Sequence, residues 1–63
     1  MDVRTIEALS VGQRVTYRDG VFGTVVVIDP EAHYIEIKWD DRDDATAPAH
    51  TRDIAPHILG IHA

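Results

Sequence analysis

Residues 11–39, which read VGQRVTYRDGVFGTVVVIDPEAHYIEIKW, decide the fold of this chain. They divide into three short segments that alternate apolar and polar side chains or are nearly all β-branched. The first junction, Asp19-Gly20, is a preferred hairpin turn because glycine accepts a positive φ, and Pro30 presets φ for the second turn. The pattern predicts a small, strongly curved antiparallel barrel with its first strands over 14–18, 21–28 and 34–39.

The third segment shows the clearest alternation in the chain. Ile35, Ile37 and Trp39 share one face, which we expect to be buried. Tyr34, Glu36 and Lys38 occupy the other face. In the second segment, Gly23 predicts a bulge or a sharp bend, which a small barrel needs to turn a corner.

The flanking sequence predicts shorter elements. Residues 5–9 are expected to form one helical turn whose apolar side chains plug an end of the barrel. Residues 45–49 read as a weak fourth strand that Pro48 restricts to an edge. Residues 51–53 read as a tight or 3₁₀ turn, and Ile54-Ala55 as a very short fifth strand. The apolar tail over 57–63 either packs on its own barrel or pairs with another chain, and the sequence leaves both open.

The length of 63 residues predicts one domain spanning 1–63, with its core over about 11–56. A domain of this size buries only ~60% of the surface that its unfolded chain exposes, so pairing with a second copy would add stability. There are no cysteines, no apolar run of membrane-spanning length and no signal-peptide pattern at the N-terminus. We therefore expect a cytoplasmic protein that does not contact a membrane.

The chain is acidic, with a formal net charge of −5 and a dense run of acids after Trp39. An acidic protein repels phosphate backbones, which disfavours general nucleic-acid binding. Arginine outnumbers lysine, and Ala, Asp and Val are abundant. This composition is typical of a GC-rich genome. A bacterial or phage source is a separate expectation that goes with the hypothesis of a small regulator given below.

The segment from residue 11 to residue 56 resembles the five-stranded SH3-like barrels of the KOW and Tudor-type group. Four features carry the resemblance: an apolar-Gly-polar-Arg-Val opening, a glycine before a β-branched run, a strand ending in Trp-Asp-Asp, and an Asp-aliphatic pair near the end. In this chain they are Val11 to Val15, Gly23 before residues 24–27, Trp39 to Asp41, and Asp53-Ile54.

The resemblance implies an all-β, five-stranded antiparallel SH3-like barrel with a short N-terminal helical turn. Barrels of this group bind RNA, proteins or methylated lysines, so the fold does not choose among functions. A methyl-lysine reader needs several aromatic faces around the cation, whereas strand parity places Tyr34 and Trp39 on opposite faces. A complete aromatic cage is therefore not expected.

Our leading hypothesis is a non-enzymatic protein–protein interaction module, a small cytoplasmic adaptor or regulator. A local excess of carboxylates steers association with a basic protein. The predicted partner-binding residues are the acids of the loop after the third strand, with two aromatic residues nearby: Asp40, Asp41, Asp43, Asp44, Tyr34 and Trp39. Each part of this predicted surface also has a purely structural interpretation. The acidic loop is then a solvated hairpin tip, and Trp39 continues the buried face of the third strand.

The alternative hypothesis is a KOW-type nucleic-acid or ribosome-associated module. Its contacts would be Arg14, Arg18 and Lys38, joined by Arg4 and Arg52 if the fold gathers them. This hypothesis requires that the bases form one stripe free of carboxylates. A third reading is a structural part of a larger assembly.

Metal binding and catalysis are not expected. The four histidines, His33, His50, His57 and His62, lack metal-ligand spacing and have no cysteine near them. None of the hydroxyl side chains has the glycine context of a nucleophile elbow, and no phosphate-binding loop is present. We predict no metal site, no catalytic residue and no cofactor.

Overall fold

The computed structural model describes residues 1–18, 20–42 and 46–62. Its strands are β1 (Arg14–Tyr17), β2 (Phe22–Asp29), β3 (Tyr34–Trp39), β4 (Thr46–His50) and β5 (Ile58–His62). Its helices are α1 (Val3–Glu7), α2 (Thr51–Ile54) and a 3₁₀ turn over Ala55–His57. None of the helices in these ranges is long and apolar enough to cross a membrane.

The five strands form one antiparallel sheet in the order β4-β3-β2-β1-β5, curled into a half-barrel. The predicted fold class is thereby confirmed: a mostly β chain of five antiparallel strands with a short N-terminal helix. Gly20, in the turn between β1 and β2, has the positive φ of 79° that its position in the hairpin requires.

The structure differs from the prediction at the C-terminal end. Residues 54–55 are not a strand, because α2 and the 3₁₀ turn occupy 51–57. The His50 side chain caps α2 by accepting a hydrogen bond from the Arg52 amide at 3.1 Å, and Pro56 suits the first turn of a helix. The fifth strand therefore begins at Ile58, beyond this helical corner.

The apolar tail is consequently part of the sheet. β5 pairs antiparallel with β1, with Val15 opposite Ile61 and Tyr17 opposite Ile58. Of the two alternatives that the sequence left open, packing on its own barrel is the one that the structure shows. The hydrophobic core extends beyond residue 56, since Ile58 is fully buried.

The core lies inside the curl of the sheet and is closed by α1. Its buried side chains are Ile6, Leu9, Val15, Val25, Ile35, Ile37, Trp39, Ala55 and Ile58. The prediction for β3 is confirmed, since its odd-numbered residues are buried and its even-numbered residues are not. Ile6 and Leu9 both belong to this core, in agreement with the shared face that their spacing predicted.

Gly23 has a different role from the one predicted. The irregularity in the pairing of β2 with β3 falls between Val25 and Val27, not at Gly23. A Cβ atom at Gly23 would lie 2.6 Å from Cε3 of Trp39 and 2.7 Å from Cγ2 of Ile37. The missing side chain thus makes room for the Trp39 ring to lie against β2.

Candidate interaction surface

Strand register brings a mixed group of side chains together on the outer face of the sheet. Arg14 of β1 lies opposite Thr24 of β2 on one side and opposite His62 of β5 on the other. Thr16 lies opposite Phe22 in the next position. These residues have the opposite parity to the buried Val15 and Val25, so they point outward.

Phe22 lies at the centre of this group and is 41% exposed. The guanidinium carbon of Arg14 is 5.6 Å from the centroid of its ring, a cation–π distance. The His62 ring lies 5.2 Å from the Phe22 ring at an interplanar angle of 47°. His62 is held by a short hydrogen bond between its Nε2 and the Thr16 hydroxyl. These side chains and Asp40 form the Phe22 cluster: Arg14, Thr16, Phe22, Asp40 and His62.

Asp40 joins the cluster through a two-pronged ion pair with Arg14. The two guanidinium nitrogens lie 2.9 and 2.5 Å from the two carboxylate oxygens. The first nitrogen also donates to the Thr24 hydroxyl at 2.8 Å. The Arg14 hydrogen bonds lower the pKa of Asp40, and the bond to Asp40 raises the pKa of Arg14. Both groups therefore stay charged and hold the guanidinium over Phe22.

This ion pair joins a residue of the protein-binding hypothesis to a residue of the nucleic-acid-binding hypothesis. Asp40 was predicted to contact a basic protein, and Arg14 to contact nucleic acid. Lys38 is exposed on β3 and also lowers the pKa of Asp40, so this carboxylate lies among the predicted bases. Arg18 is exposed just beyond β1. Arg14 and Lys38 thus do not form a stripe free of carboxylates.

The predicted aromatic residues are less available than Phe22. Trp39 is only 8% exposed and packs edge-on against Tyr17, with ring centroids 5.1 Å apart. It belongs to the core, as the competing reading of this residue held, and little of it can touch a partner. Tyr34 is half-buried and donates its hydroxyl to Glu36, a bond that raises the pKa of Tyr34.

The acidic loop is described only in part. Asp41 is exposed. Asp43 and Asp44, also predicted to bind a partner, lie outside the described residues. Glu36, on the outer face of β3, accepts hydrogen bonds from Thr46 and Tyr34, which lower its pKa. Its carboxylate is therefore already engaged.

A second polar cluster lies where α1 meets the end of the sheet. The carboxylate Oε2 of Glu7 accepts a hydrogen bond from the Thr51 hydroxyl at 2.6 Å and lies 2.7 Å from Nδ1 of His33. Thr51 is completely buried, and its amide donates to the His33 carbonyl at 2.9 Å. The His50 ring stacks on His33 with centroids 5.5 Å apart.

Sequence reasoning missed this second cluster. The pairing of β3 with β4 is enough to predict that His33 and Thr51 are neighbours, because they follow directly on the opposed pair Tyr34 and His50. The approach of Glu7 has no sequence signal. The bonds from Thr51 and His33 lower the pKa of Glu7 and join α1 to α2 and to the turn between β2 and β3, which is a structural role.

The four histidines lie in three different places. His33 stacks on His50, His57 lies 5.5 Å from the Tyr17 ring, and His62 lies against Phe22. Over residues 1–18, 20–42 and 46–62, no group of three His, Asp or Glu side chains is arranged to hold a metal ion.

Comparisons with protein-family models, with curated proteins and with solved structures found no match to this chain.

Proposed function

We propose that this chain is a non-enzymatic protein-binding module that holds its partner on the Phe22 cluster. The curled five-stranded sheet is compatible with the SH3-like barrels of the KOW and Tudor-type group that the sequence resembles. In this proposal the barrel is a scaffold, and the outer face of β1, β2 and β5 is the binding surface.

The position of Phe22 carries the proposal. The chain has only four aromatic residues of the Phe, Tyr and Trp types, and a domain of this size has little core to spare. Trp39 and Tyr17 pack with the core, yet Phe22 points outward from β2 between Arg14 and His62. Aromatic side chains, phenylalanine included, and arginine are enriched at protein interfaces relative to the rest of the surface.

The contacts around Phe22 also suit a binding surface. The ion pair with Asp40 and the bond to Thr24 fix the guanidinium of Arg14, so little side-chain entropy remains to be lost on binding. Charged and hydroxyl side chains surround one apolar ring, which matches a small hydrophobic centre with a polar rim.

The charge of the chain favours a basic partner. With a net charge of −5, the field around the protein attracts positively charged surfaces. Asp40 is paired with Arg14, whereas Asp41 beside it is exposed. We assign the predicted acidic loop to steering the partner towards the surface and Phe22 to holding it.

A capture experiment with matched variants tests the proposal. The tagged wild-type chain, Phe22→Ser and Val11→Ser would be incubated with lysate of the native host, and captured proteins quantified by mass spectrometry. Val11 is 65% exposed and lies outside the strands, so it controls for loss of an exposed apolar side chain. We expect Phe22→Ser to lose the partner that both other chains retain, with affinity at least about tenfold weaker.

Two results would overturn the proposal. One is retention of every wild-type partner by Phe22→Ser while its circular dichroism remains unchanged. The other is a salt-sensitive shift of RNA or duplex DNA by the wild-type chain that Arg14→Ala, Arg18→Ala or Lys38→Ala abolishes. The second result would instead favour the nucleic-acid alternative.

A further inference from the structure

We propose that His50 is a pH-sensitive switch for the helical corner at residues 51–57, which α2 and the 3₁₀ turn form. The neutral imidazole holds the corner closed, and proton uptake by the imidazole lets it open. This inference concerns the second polar cluster and is independent of the Phe22 cluster and its partner.

The N-cap of α2 carries the proposal. Nδ1 of His50 accepts a hydrogen bond from the Arg52 amide at 3.1 Å. A ring nitrogen that accepts from an amide has no proton of its own, so the capping imidazole is neutral and carries its proton on Nε2. A second proton would occupy Nδ1, where the amide N–H already points, and the cap would be lost. The open corner thus takes up a proton that the closed corner excludes, and falling pH favours opening.

Histidine is an unusual residue at this position. The preferred N-cap residues are Ser, Thr, Asp and Asn, and none of them changes its charge near neutral pH, whereas histidine does. The helix that His50 caps has only four residues, Thr51–Ile54. A helix this short is not stable by itself, so its cap and its packing contacts decide whether it stays formed.

The surroundings of His50 place one carboxylate against two imidazoles. The His33 ring stacks on the His50 ring, with centroids 5.5 Å apart and an interplanar angle of 24°. Oε2 of Glu7 lies 2.7 Å from Nδ1 of His33, so Glu7 compensates a proton on His33. A further proton on His50 places two like charges against each other with one carboxylate to offset them. Tyr34, opposite His50 on β3, is a neutral phenol over this pH range.

The remaining charged groups of the neighbouring elements are exposed. On α2, the side chains of Arg52 and Asp53 lie 3.8 Å apart and are both exposed. In the turn between β2 and β3, Asp29 accepts a hydrogen bond from the Ala32 amide, and Glu31 is exposed. Water screens the effect of such groups on the two rings. The carboxylate on α1 is therefore the main charge that acts on the stacked pair.

His33 holds the corner through its backbone as well as its ring. Its carbonyl accepts a hydrogen bond from the Thr51 amide at 2.9 Å, and its φ of 54° lies in the left-handed region. A non-glycine residue in this region is uncommon and costs free energy that surrounding contacts must offset. The ring contacts of His33 with Glu7 and His50 supply such an offset, and repulsion between two charged rings removes part of it.

Amide hydrogen exchange of the full chain tests the proposal. The Ala55 amide, which donates to the Thr51 carbonyl, reports on the corner. The Val25 amide, which donates to the Gln13 carbonyl, reports on the sheet. Between about pH 7.5 and about pH 5, we expect the protection factor of Ala55 to fall about fivefold more than that of Val25, the change that loss of an N-cap produces. An equal fall at both amides would overturn the proposal.

Two variants locate the effect. His50→Asn keeps a preferred N-cap side chain that does not titrate, and His62→Gln removes a histidine that lies away from the corner, in β5. We expect acid to leave the Ala55 amide of His50→Asn protected relative to Val25 and to expose that of His62→Gln as in wild type. Undiminished acid sensitivity in His50→Asn, or its loss in His62→Gln, would contradict the assignment to His50.

Nitrogen NMR of the wild-type imidazoles keeps the proposal testable even if His50→Asn folds poorly. At about pH 7.5, we expect the His50 ring to be neutral with its proton on Nε2, as the cap requires. A neutral ring with its proton on Nδ1 cannot accept from the Arg52 amide, and this result would rule out the switch.

Discussion

The guanidinium of Arg14 contacts both carboxylate oxygens of Asp40, at 2.9 and 2.5 Å, across the outer face of the sheet. Taken separately, the two residues suggest opposite partners, a nucleic acid for Arg14 and a basic protein for Asp40. Taken together they neutralise each other, and their joint effect is to fix a cation over Phe22. The structure therefore favours the Phe22 ring, which lies between Arg14 and His62, over either charged side chain as the centre of a binding surface.

Reversing the charges tests whether this contact holds the outer face together. We expect Arg14→Glu and Asp40→Lys each to lower the free energy of unfolding, because each places like charges in contact. The double exchange should recover part of that loss. The pair is partly exposed, with side chains 35% and 53% accessible, so the effects should be small and weaken with salt. Urea unfolding at low and high salt measures them, and strict additivity would contradict a direct interaction.

Gly23→Ala should destabilise the fold by about 1 to 3 kcal/mol through overpacking. The new Cβ would lie 2.6 Å from the Trp39 ring, which is packed among the other core side chains. Gly60→Ala is the matched control in another strand, since its Cβ has no neighbour closer than 3.4 Å. Urea midpoints compare the two, and equal midpoints would show that Trp39 moves aside without cost.

Glu7→Gln should make stability less dependent on pH in the acid range. Hydrogen bonds from Thr51 and His33 lower the pKa of Glu7 in the folded state below its ordinary 4.5. Its contribution is therefore complete above pH 4.5 and is lost as the pH falls through the lower folded pKa. Urea unfolding between about pH 7 and about pH 3 should show wild type losing its advantage over Glu7→Gln as acid is added. A constant gap would contradict this linkage.

Thr51→Val should cost more stability than Thr51→Ser. Valine keeps the buried volume but removes the hydroxyl that donates to Glu7 at 2.6 Å, whereas serine keeps the donor and loses a methyl group. Without this donor the Glu7 carboxylate loses one of the two hydrogen bonds described for it and keeps the contact with His33 Nδ1, so we expect the valine variant to be the less stable of the two. Thermal unfolding of the two variants measures the order, and a more stable valine variant would show that packing outweighs the hydrogen bond.

Much of the fold could be predicted from local sequence. The alternation of Ile35, Ile37 and Trp39 indicated the buried face of β3, because a half-buried strand has a period of two. The fifth strand was misplaced because Ile58 to Ile61 lacks alternation. Only its pairing with β1, distant in sequence, makes it a strand. Local patterns do not report such long-range pairing.

The candidate site was less predictable than the fold. The sequence indicated Trp39 as a candidate contact because it is the largest aromatic residue. In the structure this large side chain is buried in the core. Phe22 lies beside a turn with no alternation before it, and its importance depends on Arg14, Asp40 and His62. These three residues come from separate segments, and only the register of the sheet brings them together.

Photo-crosslinking from residue 22 tests the central claim most directly. A benzoylphenylalanine placed at Phe22 keeps an aromatic ring on the outer face, and the same probe at Val11 serves as the exposed control. We predict that illumination in the native host joins a distinct protein to the probe at residue 22 and not to the probe at residue 11, and that excess unlabelled wild-type chain prevents it. The absence of any adduct at residue 22, or the same adducts at both positions, would contradict the assignment of the Phe22 cluster as the binding surface.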